Sequence, residues 1–187
     1  EWQGKGIPLL VHSFTGENGF LIFSKNPQGL INKIDSLGAL ETLDKKTQDV
    51  LRVEAGISIW GQDCGEKTLF PEMNLQMETV SYTKGCFVGQ EIVARVKYRG
   101  AVNKVLMGIV FDEEAPEDLG DFSVRGQKGG LLTSLSYSPA LEKTVALAYV
   151  NKKHRAPGTR INLEINEQVY KATVSLLPFY QLTSELE

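Results

Sequence analysis

The second half of this chain is cut into short apolar segments at nearly even intervals. From Lys104 onward "KVLMGIVF", "DFSVRG", "LLTSLSY", "TVALAYV", "RINLEIN" and "QVYKATVSL" follow one another, separated by Gly, Pro, Asp and Asn. Runs of this length, rich in β-branched and aromatic residues and bounded by turn formers, read as strands. Six of them at short intervals predict a small antiparallel barrel or sandwich. The acidic stretch "EEAPEDLGD" joins the first two, and "TSELE" reads as a frayed polar tail.

Before residue 100 the pattern is different. "IPLLVHSF", the turn-forming "TGENG" and "FLIF" predict a hairpin. "NPQGLINKIDSLG" predicts a helix with Asn26 as N-cap, Pro27 at its first position and Gly38 just past its end. Leu30, Ile31, Ile34 and Leu37 share one face of it, which predicts packing on a sheet. A second helix in "LDKKTQDVLRVEAG" is capped by Asp44 and closes near Gly56, with Val50 and Leu51 as its expected core residues. The segment from Ile57 to Gly85 lacks periodicity and reads as a long shaped loop. Helical spacing resumes in "CFVGQEIVARVKYRG", where Val88, Ile92 and Val96 repeat and Glu91 and Arg95 form an i,i+4 pair. The expected class is α+β: a sheet-and-helix domain over 1–100, then a β-barrel domain over 101–187.

At 187 residues and 42% hydrophobic content the chain can build a real core. No apolar run approaches the ~18 residues of a membrane span, and no signal-peptide pattern opens the chain. Two cysteines outside any CxxC pair fit a reducing compartment, so the expected setting is the cytoplasm with no membrane partner. Glu1 where a translated product has Met reads as the start of a fragment. A net charge of -3 excludes a wholly basic nucleic-acid binder.

One of the two cysteines stands in "SYTKGCFVGQE". Cys86 lies at an expected helix start, where the helix dipole and Lys84 favour thiolate. Gly85 and Gly89 allow close backbone approach, and Gln90 and Glu91 add a donor, an acceptor and a carboxylate. The alternative is a small buried hydrophobe beside solvated charges.

"YTKGCFVGQE" resembles the K-G-C-aromatic-x-G-Q-E signature of the YgfZ-type folate-binding proteins, relatives of the glycine cleavage T-protein (aminomethyltransferase). "LRVEAGISIWGQD", "FPEMNL", "GQEIVARVKYRGAVNKVLMGI", "GGLLTSLSYSPALEKTVALAYV" and "APGTRI" extend the likeness over nearly the whole chain. The resemblance implies a partial folate-binding domain followed by the family's C-terminal barrel. It implies a folate-linked role in assembling or repairing iron–sulfur proteins, and through such clients in tRNA modification. Cys86 takes the position of the reactive cysteine, with Lys84, Gly85, Phe87, Gly89, Gln90 and Glu91 at the other motif positions. Arg52 matches an arginine of the folate cavity, where a guanidinium holds a carboxylate or a pterin by paired hydrogen bonds. The implied cofactor is tetrahydrofolate.

The sequence departs from the aminomethyltransferase side in two places. Leu21 stands where those enzymes carry a pterin-anchoring glutamate, and their catalytic aspartate belongs to a segment before the start of this chain. The expectation is therefore a partial cavity that further protein completes. Cys64, Cys86, His12 and His154 show no ligand spacing, so no resident metal is expected and an iron–sulfur cluster only transiently. Between residues 84 and 104, Lys84, Arg95, Lys97, Arg99 and Lys104 face only Glu91, a local excess of +4 suited to a folate polyglutamate tail or to RNA phosphates. Three functions stay open: the folate-binding accessory factor, a tetrahydrofolate-dependent aminomethyltransferase, and a direct tRNA-binding module.

Overall fold

The computed structural model describes residues 8–38, 41–73, 85–86, 89–91, 94 and 102–180. The chain opens with β1 (Leu9–Val11) and β2 (Phe20–Ile22), an antiparallel pair in which Leu10 faces Leu21. Helix α1 (Pro27–Asp35) starts as its sequence dictates: the Asn26 side chain accepts from Gly29 N at 2.9 Å, and Pro27 occupies a position that needs no donor. Its apolar face is only partly covered: Leu30 and Ile34 are half-buried, Ile31 and Leu37 are exposed, and no residue of α1 is fully buried.

Helix α2 (Lys45–Glu54) is capped by Asp44, which accepts from Thr47 N at 2.6 Å. Those hydrogen bonds hold the Asp44 carboxyl below its ordinary value. Its buried residues are Arg52, Val53 and Glu54, while the expected Val50 and Leu51 are half-buried. Arg52 and Glu54 bond Ser134 and Ser138 of the barrel wall. Gly56, at φ +73°, ends the helix in the left-handed region. Beyond it the "FPEM" stretch forms a short 3-10 helix at Phe70–Met73.

The six expected strands are all present: β3 (Lys104–Phe111), β4 (Gly120–Val124), β5 (Gln127–Ser138), β6 (Lys143–Asn151), β7 (Arg160–Ile165) and β8 (Gln168–Ser175). They form a closed barrel in the order β3-β6-β5-β4-β7-β8, with every pairing antiparallel. Closure removes the free edges that an open sheet would present. The β4–β7 seam is the shortest, with Ser123 opposite Glu164. Ser123 Oγ and Gly126 N both donate to Glu164 across it, which holds that carboxyl below the ordinary range.

The barrel interior is filled by Ile109, Phe111, Leu132, Ala148, Leu163 and Val174 with their neighbours. A second cluster lies outside the barrel wall, where Val53 of α2 meets Leu106, Val145, Leu147 and Tyr149. Strand β6 belongs to both, which is why its run from Val145 to Val150 is buried throughout and reads as unbroken apolar sequence. The chain after β8 returns across this outer cluster with Leu177 and Phe179. A Cβ on Gly108 would come within 2.5 Å of the Phe179 ring, so the bare backbone of β3 is what lets that ring lie down.

Candidate functional site

The site grows from a tight turn after α2. Gln62 N, Asp63 N and Cys64 N all donate to Ile59 O, and Gly61 N returns to Cys64 O. The turn points the Asp63 side chain inward, where it is 2% exposed. A carboxylate buried to this degree needs its lone pairs filled. Oδ2 accepts from Arg52 Nη1 and Ile59 N, each at 2.9 Å. Oδ1 accepts from Thr133 Oγ1 at 2.7 Å and Ser134 Oγ at 2.5 Å.

Thr133 and Ser134 are consecutive strand residues, and a regular strand would send them to opposite faces. They reach the same oxygen because β5 carries an irregularity between Leu132 and Ser134, where Leu132 pairs with Ala148 and Ser134 already pairs with Leu147. The extra residue re-aims the strand, as bulges do. Ser134 Oγ also accepts from Arg52 Nη2 and Gln62 Nε2, both at 2.9 Å. The hub thus joins α2, the turn and the barrel wall through polar bonds.

Arg52 is 3% exposed and spends its donors on the protein. Nε donates to Asp49 at 2.5 Å, Nη1 to Ile57 O and Asp63, and Nη2 to Ser134. Of the five donors of a guanidinium, four are taken and one remains among the described residues. A paired clamp on a ligand carboxylate therefore does not fit this arrangement, whereas a single hydrogen bond does. Asp49, with a side chain 43% exposed, is the member of the hub nearest to water.

Two further buried carboxylates flank the hub. Glu54 accepts from Ser138 Oγ at 2.5 Å and Tyr180 OH at 3.0 Å, and its carbonyl accepts from Phe179 N. Burial and the neighbouring Glu54 carboxylate push the Tyr180 phenol up to about 12. Glu72 accepts from Leu69 N and stands 3.8 Å from Lys104 Nζ, which lies over the Tyr149 ring at 4.9 Å. Among the described residues the buried Tyr149 hydroxyl makes no hydrogen bond of good geometry, its neighbour Thr68 lying off line, and burial pushes its phenol to about 12.

Cys86 is exposed and Cys64 half-buried, and both are free thiols. Gly85 and Gly89 are exposed, Gly89 with φ +89°. Gln90 and Glu91 follow in helical conformation and are exposed. Lys84, Phe87 and the basic residues Arg95, Lys97 and Arg99 lie outside the described residues. Leu21 is half-buried on β2. Among the described residues no group of three or more His, Cys, Asp or Glu side chains is placed to hold a metal ion. No described helix is long and apolar enough to cross a membrane. Sequence reasoning passed over Asp63, Thr133 and Ser134; the signal for the last two was the broken alternation in "LLTSLSY".

The barrel matches the glycine cleavage T-protein C-terminal barrel domain, over residues 104–181. The chain is 33% identical over 186 residues to the aminomethyltransferase of Symbiobacterium thermophilum, covering 94% of this chain and 49% of that protein. It is 28% identical over 183 residues to that of Bacillus cytotoxicus, covering 94% and 50%. The crystal structure of glycine cleavage system aminomethyltransferase T from Bartonella henselae shares the fold, with TM-score 0.80 and 23% identity over 92% of this chain and 49% of that one. The chain spans about half the length of the curated relatives it matches. The domain match and these relatives support the glycine cleavage T-protein superfamily.

Proposed function

We propose that this chain works in tetrahydrofolate-dependent one-carbon chemistry of the aminomethyltransferase kind, as the part of a larger site that carries the T-protein-type barrel and, with a division near residue 100, the layer before it. The observation that supports this reading is the similarity to aminomethyltransferases over 94% of the chain, which runs through the Arg52 layer and the barrel alike. Bound tetrahydrofolate supplies the acceptor for the one-carbon unit. Arg52 then acts chiefly on the protein, fixing the wall between α2 and β5 and offering its remaining N–H to the ligand. Leu21 gives an apolar surface, so the pterin is anchored by other groups. Gln90 and Glu91, beside the exposed Cys86, are the further polar groups assigned to the folate side.

Calorimetry with tetrahydrofolate tests this reading on the 187-residue chain alone and co-expressed with the part of the Symbiobacterium thermophilum aminomethyltransferase outside the matched span, together with an assay of aminomethyl transfer. Binding and transfer by the pair are expected. Binding by neither preparation would overturn the folate assignment.

The exposed thiol of Cys86, within K-G-C-aromatic-x-G-Q-E, favours a second reading. There the chain is a YgfZ-type folate-binding accessory factor in iron–sulfur assembly or repair in the cytoplasm, serving tRNA modification through its clients. Cys86 is its working residue and Lys84 the cation beside it. Cys86→Ser would then leave melting behaviour unchanged and remove iron–sulfur enzyme activity in cells; normal activity with that variant would exclude this reading. Direct tRNA binding through Arg95, Lys97 and Arg99 is a third proposal, marked by an affinity that falls steeply with salt.

A further inference from the structure

The charges on the barrel are sorted by end. Every pairing in its wall is antiparallel, in the order β3-β6-β5-β4-β7-β8, so successive connections alternate between the two ends. The connections 112–119, 139–142 and 166–167 share one end and hold seven carboxylates with no Lys or Arg. The connections 125–126 and 152–159 share the other and hold Arg125, Lys152, Lys153 and Arg155 with no carboxylate. Lys128 and Arg160, both exposed, add to that end from the starts of β5 and β7.

The register draws these segments into one rim. Gly130 of β5 pairs with Val150 of β6, so the chain before the first runs beside the chain after the second. Lys153 Nζ donates to Gln127 Oε1 at 3.3 Å across that gap, and Lys152 N donates to Asn103 O at 2.8 Å. Two carboxylates reach the rim: Asp121, 3.6 Å from Lys128, and Glu164, which accepts from Ser123 and Gly126. Six cations against two carboxylates leave an excess of four, in a chain whose net charge is -3. Among the described residues Arg125, Lys152, Arg155 and Arg160 make no ion pair. Cations without partners do not fill an apolar layer, so this end faces water or an anion whatever further chain accompanies the barrel.

We propose that this rim is a docking surface for RNA, held through its phosphodiester backbone. A protein partner is normally met by an apolar or aromatic centre ringed with polar groups. Of the strand ends on this side, only Leu176 after β8 exposes a large apolar side chain, and the two basic connections expose none. A lipid surface is likewise engaged by cations together with inserted apolar side chains. The exposed amides of Asn103 and Gln127, set among the cations, suit the ribose 2′-hydroxyl that RNA adds to its phosphates. The class of partner is that of the third reading above. The surface is a different one, built on the barrel rim and not on Arg95, Lys97 and Arg99, and it is independent of the folate chemistry.

The test is fluorescence anisotropy of a labelled RNA stem-loop titrated with the 187-residue chain over a series of salt concentrations. With six cations engaged, the logarithm of the affinity should fall against the logarithm of salt with a slope of about -4. Lys152→Glu with Lys153→Glu, both at exposed positions, should weaken binding at least about tenfold and flatten that slope by about 2, while barrel melting stays unchanged. No binding at low salt would overturn the proposal. Loss of binding on neutralising Arg95, Lys97 and Arg99, with none at the lysine pair, would move the RNA to that segment and overturn the rim. Binding to phosphatidylserine vesicles without binding to RNA would assign the rim to a lipid surface. A DNA duplex of equal length bound as tightly as the RNA would make it a contact for any polyanion, and either result overturns the proposal too.

Discussion

Arg52 donates to Asp63 at 2.9 Å with both side chains sealed from solvent, 4% and 0% exposed. A pair at this depth repays its desolvation only when the remaining lone pairs and N–H groups are filled as well. Thr133, Ser134, Ile59 N and Ile57 O do that filling, so the pair is the centre of a network and not an isolated bridge.

Arg52→Met should therefore cost about 3 to 5 kcal/mol, the penalty of leaving a carboxylate buried without its cation. The double variant Arg52→Met, Asp63→Leu should recover part of that loss, because it removes the orphaned charge. Urea unfolding of the two variants beside the parent measures both quantities, and additive losses would show that the residues do not act as a pair.

The two hydroxyls on Asp63 should not be equivalent. Thr133→Val removes one donor to a charged acceptor, a loss of about 1.5 to 3 kcal/mol. Ser134→Ala removes a donor and also strands Arg52 Nη2 and Gln62 Nε2, so it should cost more. The ranking is read from denaturant midpoints at equal slope.

Gly108→Ala should destabilise the protein by about 1 to 3 kcal/mol, since the new methyl meets the Phe179 ring. Phe179→Leu in the same chain should relieve most of it. If the double variant is no better than Gly108→Ala alone, the clash lies elsewhere.

Stability should also fall at high pH. Tyr149 and Tyr180 keep their protons to about 12, against 10.0 for an ordinary phenol. The folded state then binds those protons more tightly than the unfolded state. Their contribution is whole below pH 10 and disappears as pH rises through 12. Melting temperatures across that window should drop less steeply for Tyr149→Phe with Tyr180→Phe than for the parent.

A disulfide reagent should modify Cys86 well before Cys64, because the first thiol is exposed and the second half-buried. Mass spectrometry of briefly labelled protein shows which cysteine is carried first. Equal rates would mean that the turn around Cys64 opens readily.

The barrel was legible because its six strands each carry local turn punctuation and β-forming residues, and those signals need no partner to be read. The caps at Asn26 and Asp44 were legible for the same reason, since each closes within three residues. The face of α1 was legible only in part, because periodicity records that a helix expects cover without recording what supplies it. The site was harder still. Asp63 and Ser134 are 71 positions apart, and a bulge lets two successive residues share one oxygen, which no strand period encodes. The motif around Cys86 was visible as a pattern, but only the exposure of the thiol distinguishes it from a buried hydrophobe.

The bulge at Thr133 also bears on how such proteins exchange parts. A chimera joined near residue 100 would carry Asp63 from one parent and the hydroxyls that hold it from the other. If the second parent lacked the extra residue in β5, its ladder would run regularly and present a single side chain to the carboxylate. The seam between the two parts would then hold a charge whose acceptor sites were half empty. The natural place to cut this molecule by sequence is thus a poor place to graft it.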